Sequence, residues 1–246
     1  MKVAAIIPAR YASTRLPGKP LLDIAGKTMI QRVYQQVQKA PGIEKVMVAT
    51  DDARIEAHVL DFGGTVIRTS EQHQSGTDRC AEASRSLPET YGWIINVQGD
   101  EPLIDPQQIQ EVVNTLQGSE AQIATLIKEI KDPEVLFNPN NPKVVLDKQG
   151  RALYFSRNPI PYFRDRAASE WLQQHTYYQH IGIYGFQRAC LELLTELPPS
   201  PLEKAEGLEQ LRWLENGYSI YTGKTQMQGI SVDTAEDLER VRTLFK

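Results

Sequence analysis

The chain has 246 residues, 41% hydrophobic and 24% charged, enough apolar material to bury the core of one α/β domain. A formal net charge of −4 argues against non-specific nucleic-acid binding, which needs a cationic face, but still permits a small phosphorylated ligand held by a few local cations. Two cysteines, Cys80 and Cys190, cannot form a disulfide framework, and no apolar run approaches the ~18 residues of a membrane span.

The apolar run at the N-terminus is shorter than a signal-peptide core and stops at Pro8, so a cytoplasmic location is expected. Val3 to Ile7 reads as a buried strand, followed in order by Val46 to Ala49, Thr65 to Ile67 and Trp93 to Val97. Between them, Met29, Ile30, Val33 and Val37 form one helical stripe, and Ile55, Val59 and Phe62 a second. Asp51-Asp52 and Asp105-Pro106 look like helix starts. Strand alternating with helix predicts a three-layer, mostly parallel sheet of Rossmann-like type, with helices on both faces. Ligands of such sheets lie beyond the carboxyl ends of the strands, so the loops after Ile7 and Val97 are the places to search.

The middle of the chain changes character. Lys143 to Asp147 and Ala152 to Phe155, joined through Gly150, read as a hairpin, and His180 to Phe186 as a further strand. Residues of about 130–187 are expected to form a β-rich insertion in a single domain spanning 1–246. Helices are expected over 187–196, 201–216 and Ala235 to Leu244, the last capped by Asp233 or Thr234.

The first strand empties into a loop, Pro8 to Pro20, that carries Arg10, Arg15 and Lys19 together with Ser13, Thr14 and small residues such as Ala9. Small residues let backbone N–H groups approach phosphate oxygens, while Arg and Lys supply a planar fork and a mobile point charge. The loop is neither a Walker A nor a G-x-G-x-x-G sequence, and a solvated basic loop fits the residues equally well. Asp100 follows a strand and a glycine, and Asp233 follows Ile230-Ser231-Val232. Each could serve as a turn or cap residue, or the two could hold Mg²⁺, which commonly takes one or two carboxylates beside phosphates. Glu101, ahead of Pro102, is not expected to be a ligand.

Gln72 to Arg79 (QHQSGTDR), Asn96 to Pro102 (NVQGDEP), Leu153 to Arg157 (LYFSR), His180 to Gly185 (HIGIYG), Pro199 to Glu203 (PSPLE) and Ser231 to Leu238 (SVDTAEDL) occur in that order. Together with the first loop, they resemble the 3-deoxy-manno-octulosonate (Kdo) cytidylyltransferase family, also called CMP-Kdo synthetases, over essentially the whole chain. Asp78 stands where that family is expected to have Glu, and Ser231 where Gly is more usual.

The resemblance implies a homodimeric enzyme that transfers a cytidylyl group from CTP to Kdo, with Mg²⁺ bound by Asp100 and Asp233. It implies that Arg10 and Lys19 stabilise the triphosphate, with Ala9, Ser13, Thr14 and Arg15 in support, and that Gln74, Ser75 and Gly76 lie near the cytosine. For the sugar acid it implies Arg79, Gln98, Arg157, His180, Tyr184, Glu203 and Gln210. Taken as residues alone, His180 could be an ordinary strand histidine, Glu203 a partner of its helix dipole, and Tyr184 a core residue. Two further readings stay open: the same chemistry on another acidic sugar (8-amino-Kdo or a nonulosonate), and a nucleotide-sugar-binding protein or glycosyltransferase.

Overall fold

In the computed structural model, the described residues are 1–12 and 16–245. The chain begins with β1 (Lys2–Ala9), a 3₁₀ turn (Lys19–Leu21), the two short strands β2 (Asp23–Ile24) and β3 (Lys27–Thr28), and helix α1 (Met29–Val37). It continues through β4 (Lys45–Thr50), α2 (Ala53–Asp61), β5 (Val66–Arg68), α3 (Gly76–Ser84), β6 (Tyr91–Asn96), α4 (Pro106–Gln117) and β7 (Ile123–Glu129). Then come α5 (Pro133–Phe137), β8 (Lys143–Leu146), β9 (Ala152–Ser156), a 3₁₀ turn (Ala168–Glu170), α6 (Trp171–Gln174) and β10 (Tyr178–Gln187). The last part holds α7 (Arg188–Thr195), α8 (Pro201–Glu206), α9 (Gln210–Glu215), β11 (Ile220–Lys224) and α10 (Ala235–Thr243).

Among the described residues, nine strands form one sheet with the order β11-β7-β10-β6-β1-β4-β5, and β8 joins β9 to the end of β10. Strands β1, β4, β5 and β6 are parallel, as are β7 and β11. β10 runs antiparallel to both its neighbours, β6 and β7. The segment 130–187 therefore supplies a peripheral hairpin and also a strand in the middle of the sheet.

Period-two alternation along β1 divides the core. Val3, Ala5 and Ile7 face Ile30 and Val33 of α1, Ile55 and Val59 of α2, and Ile109 and Val112 of α4. Ala4 and Ile6 face the other way, toward Cys80 and Ala83 of α3, Leu191 of α7 and Trp213 of α9. This is the expected three-layer arrangement. A separate apolar cluster, Ile24, Met29, Val232, Leu238 and Val241, docks the C-terminal segment beside the first loop. No described helix is long and apolar enough to cross a membrane.

The helix starts follow the cap chemistry of the sequence. Asp52, Asp105 and Thr234 cap α2, α4 and α10. One expectation is corrected: 201–216 is two helices. Gly207 adopts φ 61°, ψ 43°, a left-handed conformation that ends α8, and the chain restarts as α9.

Candidate active site

β1 and β6 are parallel neighbours, with Ile6 paired to Asn96, so the loops that follow them open at the same carboxyl edge. Their separation is set by Gly99, where an added Cβ would lie 2.8 Å from the Pro8 carbonyl oxygen. No side chain fits there without moving one strand end, so Gly99 brings Asp100 close to the exit of β1. The first loop is closed at its base by a bond from the Gly18 amide to the Tyr11 carbonyl (3.0 Å), with Gly18 at φ 67°. Arg54 stacks on the Tyr11 ring at 3.3 Å, holding that side of the loop to α2.

A cleft at this edge is lined by Ala9, Arg10, Lys19, His73, Gln74, Ser75, Gly76, Arg79, Gln98, Asp100 and Asp233, among others. Arg10 is exposed at its wall. Ser13, Thr14 and Arg15 lie outside the described residues.

Two carboxylates 133 positions apart meet at one cation. The Lys19 ammonium donates to Asp100 Oδ2 at 2.7 Å, to Asp233 Oδ1 at 3.3 Å and to the Val232 carbonyl at 2.9 Å. The Val232 amide in turn donates to the Asp100 carbonyl at 2.9 Å, tying the two segments by their backbones. Thr234 takes the cap of α10, so Asp233 does not serve as that cap. Glu101 has its carboxyl pushed up to about 7 by burial and by the charge of Asp100, so near neutrality much of it is uncharged.

Among the described residues no group of three or more His, Cys, Asp or Glu side chains gathers as a metal site. Asp100, Asp233 and the Val232 carbonyl nevertheless offer hard oxygen donors around one cation, the donor type that Mg²⁺ accepts when phosphates and water complete its shell.

The far wall of the cleft is the start of α3. Ser75 and Asp78 form a capping box, each side chain accepting the other's amide at 3.1 Å. Asp78 thus completes the box from the third helical position. His73 also lines the cleft, although its residue type and neighbours do not single it out, and its ring nitrogen is bonded to Glu82. Arg79 is only 4% exposed, and its guanidinium donates to Thr69 (2.6 Å) and Asp51 (3.2 Å).

Behind this wall lies a buried polar layer. Glu209 accepts from Thr77 Oγ1 at 2.7 Å, which links α9 to the cleft wall. Enclosure of its carboxyl raises the pKa of Glu209. Tyr184 is buried against Trp213 and His180, and burial followed by the charge of Glu209 pushes its hydroxyl pKa well up. The His180 ring, bonded to Thr125 Oγ1 at 2.9 Å, is pushed down to about 3 by burial and so stays neutral. Asn96 Oδ1 and Gln210 Nε2 are buried without a hydrogen-bond partner among the described residues.

Of the residues suggested for the sugar acid, Gln98 and Arg79 therefore line the cleft, while His180, Tyr184 and Gln210 form or adjoin the layer behind it. The other two are turned elsewhere. Glu203 pairs with Arg212 at 2.5 Å and caps α8. Arg157 donates to the carbonyls of Glu206 (2.6 Å), Gly207 (3.2 Å) and Pro139 (3.0 Å). Glu209 is the acid that sequence reasoning passed over. The available signal was its place just after the Gly207 stop, opening a helix whose Leu211 and Trp213 are core.

Comparison with known proteins matches residues 4–222 to the sequence pattern of the cytidylyltransferase family. A 3-deoxy-manno-octulosonate cytidylyltransferase of Cytophaga hutchinsonii is 56% identical over 242 residues, covering 98% of this chain and 96% of that one. Another, from Aliivibrio fischeri, is 50% identical over 248 residues, covering 100% and 99%. A solved CMP:2-keto-3-deoxy-manno-octonic acid synthetase complexed with CTP superposes with a TM-score of 0.92 at 43% identity, covering 100% of this chain and 98% of that one.

Proposed function

This chain belongs to the cytidylyltransferase family, and from that premise we propose that its cleft transfers the cytidylyl group of CTP to 3-deoxy-manno-octulosonate, giving CMP-Kdo and pyrophosphate. The observation that carries this reading is the meeting of Lys19, Asp100 and Asp233 at the carboxyl edge of β1 and β6. The anomeric hydroxyl of the sugar acid attacks the α-phosphorus of CTP, and the bond to the pyrophosphate leaving group breaks. Such a transfer asks the protein mainly for positioning and charge neutralisation.

Arg10, exposed on the cleft wall, and Lys19 neutralise the phosphate tail and the departing pyrophosphate, with Ala9, Ser13, Thr14 and Arg15 of the same loop in support. Asp100 and Asp233 would hold Mg²⁺, which when bound supplies charge neutralisation at the phosphates and lowers the pKa of the attacking hydroxyl. Gln74, Ser75 and Gly76 lie along the wall suited to the cytosine. Gln98 faces the sugar acid from the cleft lining, and Arg79, held by Thr69 and Asp51, supports that wall. Tyr184, His180, Gln210 and the added Glu209 shape its pocket from behind, as neutral or enclosed polar groups matched to a substrate rich in hydroxyls. The pairings of Glu203 and Arg157 favour a supporting role for both: they fix the α8–α9 turn that presents Glu209.

The reading includes a cytoplasmic location and a homodimer formed through the segment of about 130–187, and equilibrium sedimentation at working concentration tests the dimer. The reaction is tested by pyrophosphate release from CTP and Mg²⁺ with Kdo, an 8-amino analogue or a nonulosonate as acceptor. Release with Kdo above the other acids is expected. Release only with another acid would move the substrate, and release with none would remove the transferase reading.

A further inference from the structure

Lys19 has two incompatible duties in the cleft. Its ammonium lies between Asp100 and Asp233 and is only partly exposed, with 15% of the side chain accessible. It also projects from the phosphate-facing loop, where its charge is suited to the tail of CTP. An ammonium and a divalent ion held by the same two carboxylates repel each other strongly at such short range. One must leave before the other settles.

We infer that Lys19 is a place-holding cation: it occupies the seat of the divalent ion and gives it up when phosphate oxygens are offered to it. The inference rests on the reading that Asp100 and Asp233 are the metal ligands. In the chain by itself, Lys19 joins the two carboxylates across the cleft and so helps to keep the C-terminal segment docked. The Val232 carbonyl receives the same ammonium, at 2.9 Å, so the lock includes the backbone between them. A divalent ion arriving alone must expel Lys19 without providing it a new partner. Arriving with CTP, it releases an ammonium that can turn to the phosphates, since the lysine stem is flexible and its charge is a mobile point. Metal and nucleotide therefore assist each other's binding, and by linkage the assistance is equal in both directions. The two carboxylates would then open to a divalent ion when phosphate oxygens are at hand to receive Lys19, a safeguard against a half-assembled site.

The test uses Mn²⁺ as the probe, with free Mn²⁺ read by electron paramagnetic resonance, on the intact chain and on Lys19→Met, with and without CTP. Without CTP, Lys19→Met is expected to bind Mn²⁺ about fivefold more tightly than the parent chain, the factor for losing a competing ion pair at the strong end of the usual range. CTP should then tighten Mn²⁺ binding in the parent chain more than in Lys19→Met. Equal or weaker Mn²⁺ binding by a folded Lys19→Met would overturn the place-holding role.

The double variant Asp100→Asn, Asp233→Asn separates the two readings. If it loses Mn²⁺ binding while Lys19→Met leaves affinity unchanged, the metal site stands and the exchange fails. If it binds Mn²⁺ with CTP as well as the parent chain does, the metal site itself fails, and the exchange with it. Should Lys19→Met not fold, amine labelling of the parent chain answers the same question. Lys19 is expected to become several-fold more reactive when Mn²⁺ alone is bound, and unchanged reactivity at saturating Mn²⁺ would overturn the exchange.

Discussion

Along the exit of β1, charge is concentrated and partly open to water: Lys19 and two aspartates share a few ångströms at the mouth of the cleft. Beneath β10, polar groups are just as dense, yet burial holds His180 neutral and drives the Tyr184 hydroxyl away from ionisation. On the proposed reading, the first region meets a ligand whose charge must be neutralised and whose leaving group departs as an anion. The second suits a ligand recognised by direction and shape, where an unmatched hydroxyl would leave buried polar atoms unpaired. Substitutions should therefore act differently in the two regions, on turnover in one and on selectivity or folding in the other.

The largest expected effect lies in the charged region. Asp100→Asn is expected to lower kcat by about 10²-fold or more in a chain that still folds cooperatively, because a pre-positioned charge is lost without loss of packing. Steady-state kinetics with calorimetry checks both halves, and near-normal turnover would remove Asp100 from the machinery.

In the buried layer the consequence is one of stability. Folded His180 stays neutral down to about pH 3, whereas the unfolded chain protonates this ring below about pH 6.5. The unfolded state therefore binds the extra proton, and stability falls as pH drops through that window. Between pH 6.5 and 5 the loss from this group is about 1.6 kcal/mol. Urea denaturation at the two pH values should show the parent chain losing more stability than His180→Gln by that amount, a difference in which Glu101, raised to about 7 and opposite in sign, cancels. An equal slope in both would mean that His180 is not held neutral.

Glu209→Gln sharpens the boundary between the regions. It keeps the shape and the contact with Thr77 but removes the charge behind the wall. The KM for the sugar acid is expected to rise about tenfold, an effect of ~1.4 kcal/mol, with the KM for CTP little changed. A matching rise for CTP would place Glu209 with the nucleotide instead. Ser75→Ala gives the smallest effect, about 1 kcal/mol of stability from loss of the α3 cap, read by denaturation.

The two regions also differed in how readable they were. The charged one follows from local order: a buried strand, then cations and small residues, and elsewhere a strand followed by Gly99-Asp100. Helix caps at Asp52, Asp105 and Thr234 were equally local, because an oxygen one residue ahead of a helix acts on its own neighbours. The buried layer depends on partners distant in sequence. Nothing within His180 to Phe186 indicates that β10 lies antiparallel between β6 and β7, and that placement is what puts Tyr184 opposite Asn96. Glu203 drew attention through its motif, but Arg212, nine residues on, claims its carboxylate, whereas Glu209 became meaningful only once Gly207 broke the helix and carried it to Thr77. The inward turn of Lys19 was equally invisible, since both aspartates it meets are remote from it in the chain.

The most direct measurement is anomalous diffraction from crystals soaked in Mn²⁺ and CTP. The expected result is a manganese peak within coordination distance of both the Asp100 and Asp233 carboxylates, with Lys19 turned from them to the phosphates. A manganese peak elsewhere in the cleft, with the Lys19 ammonium still between the two aspartates, would contradict it.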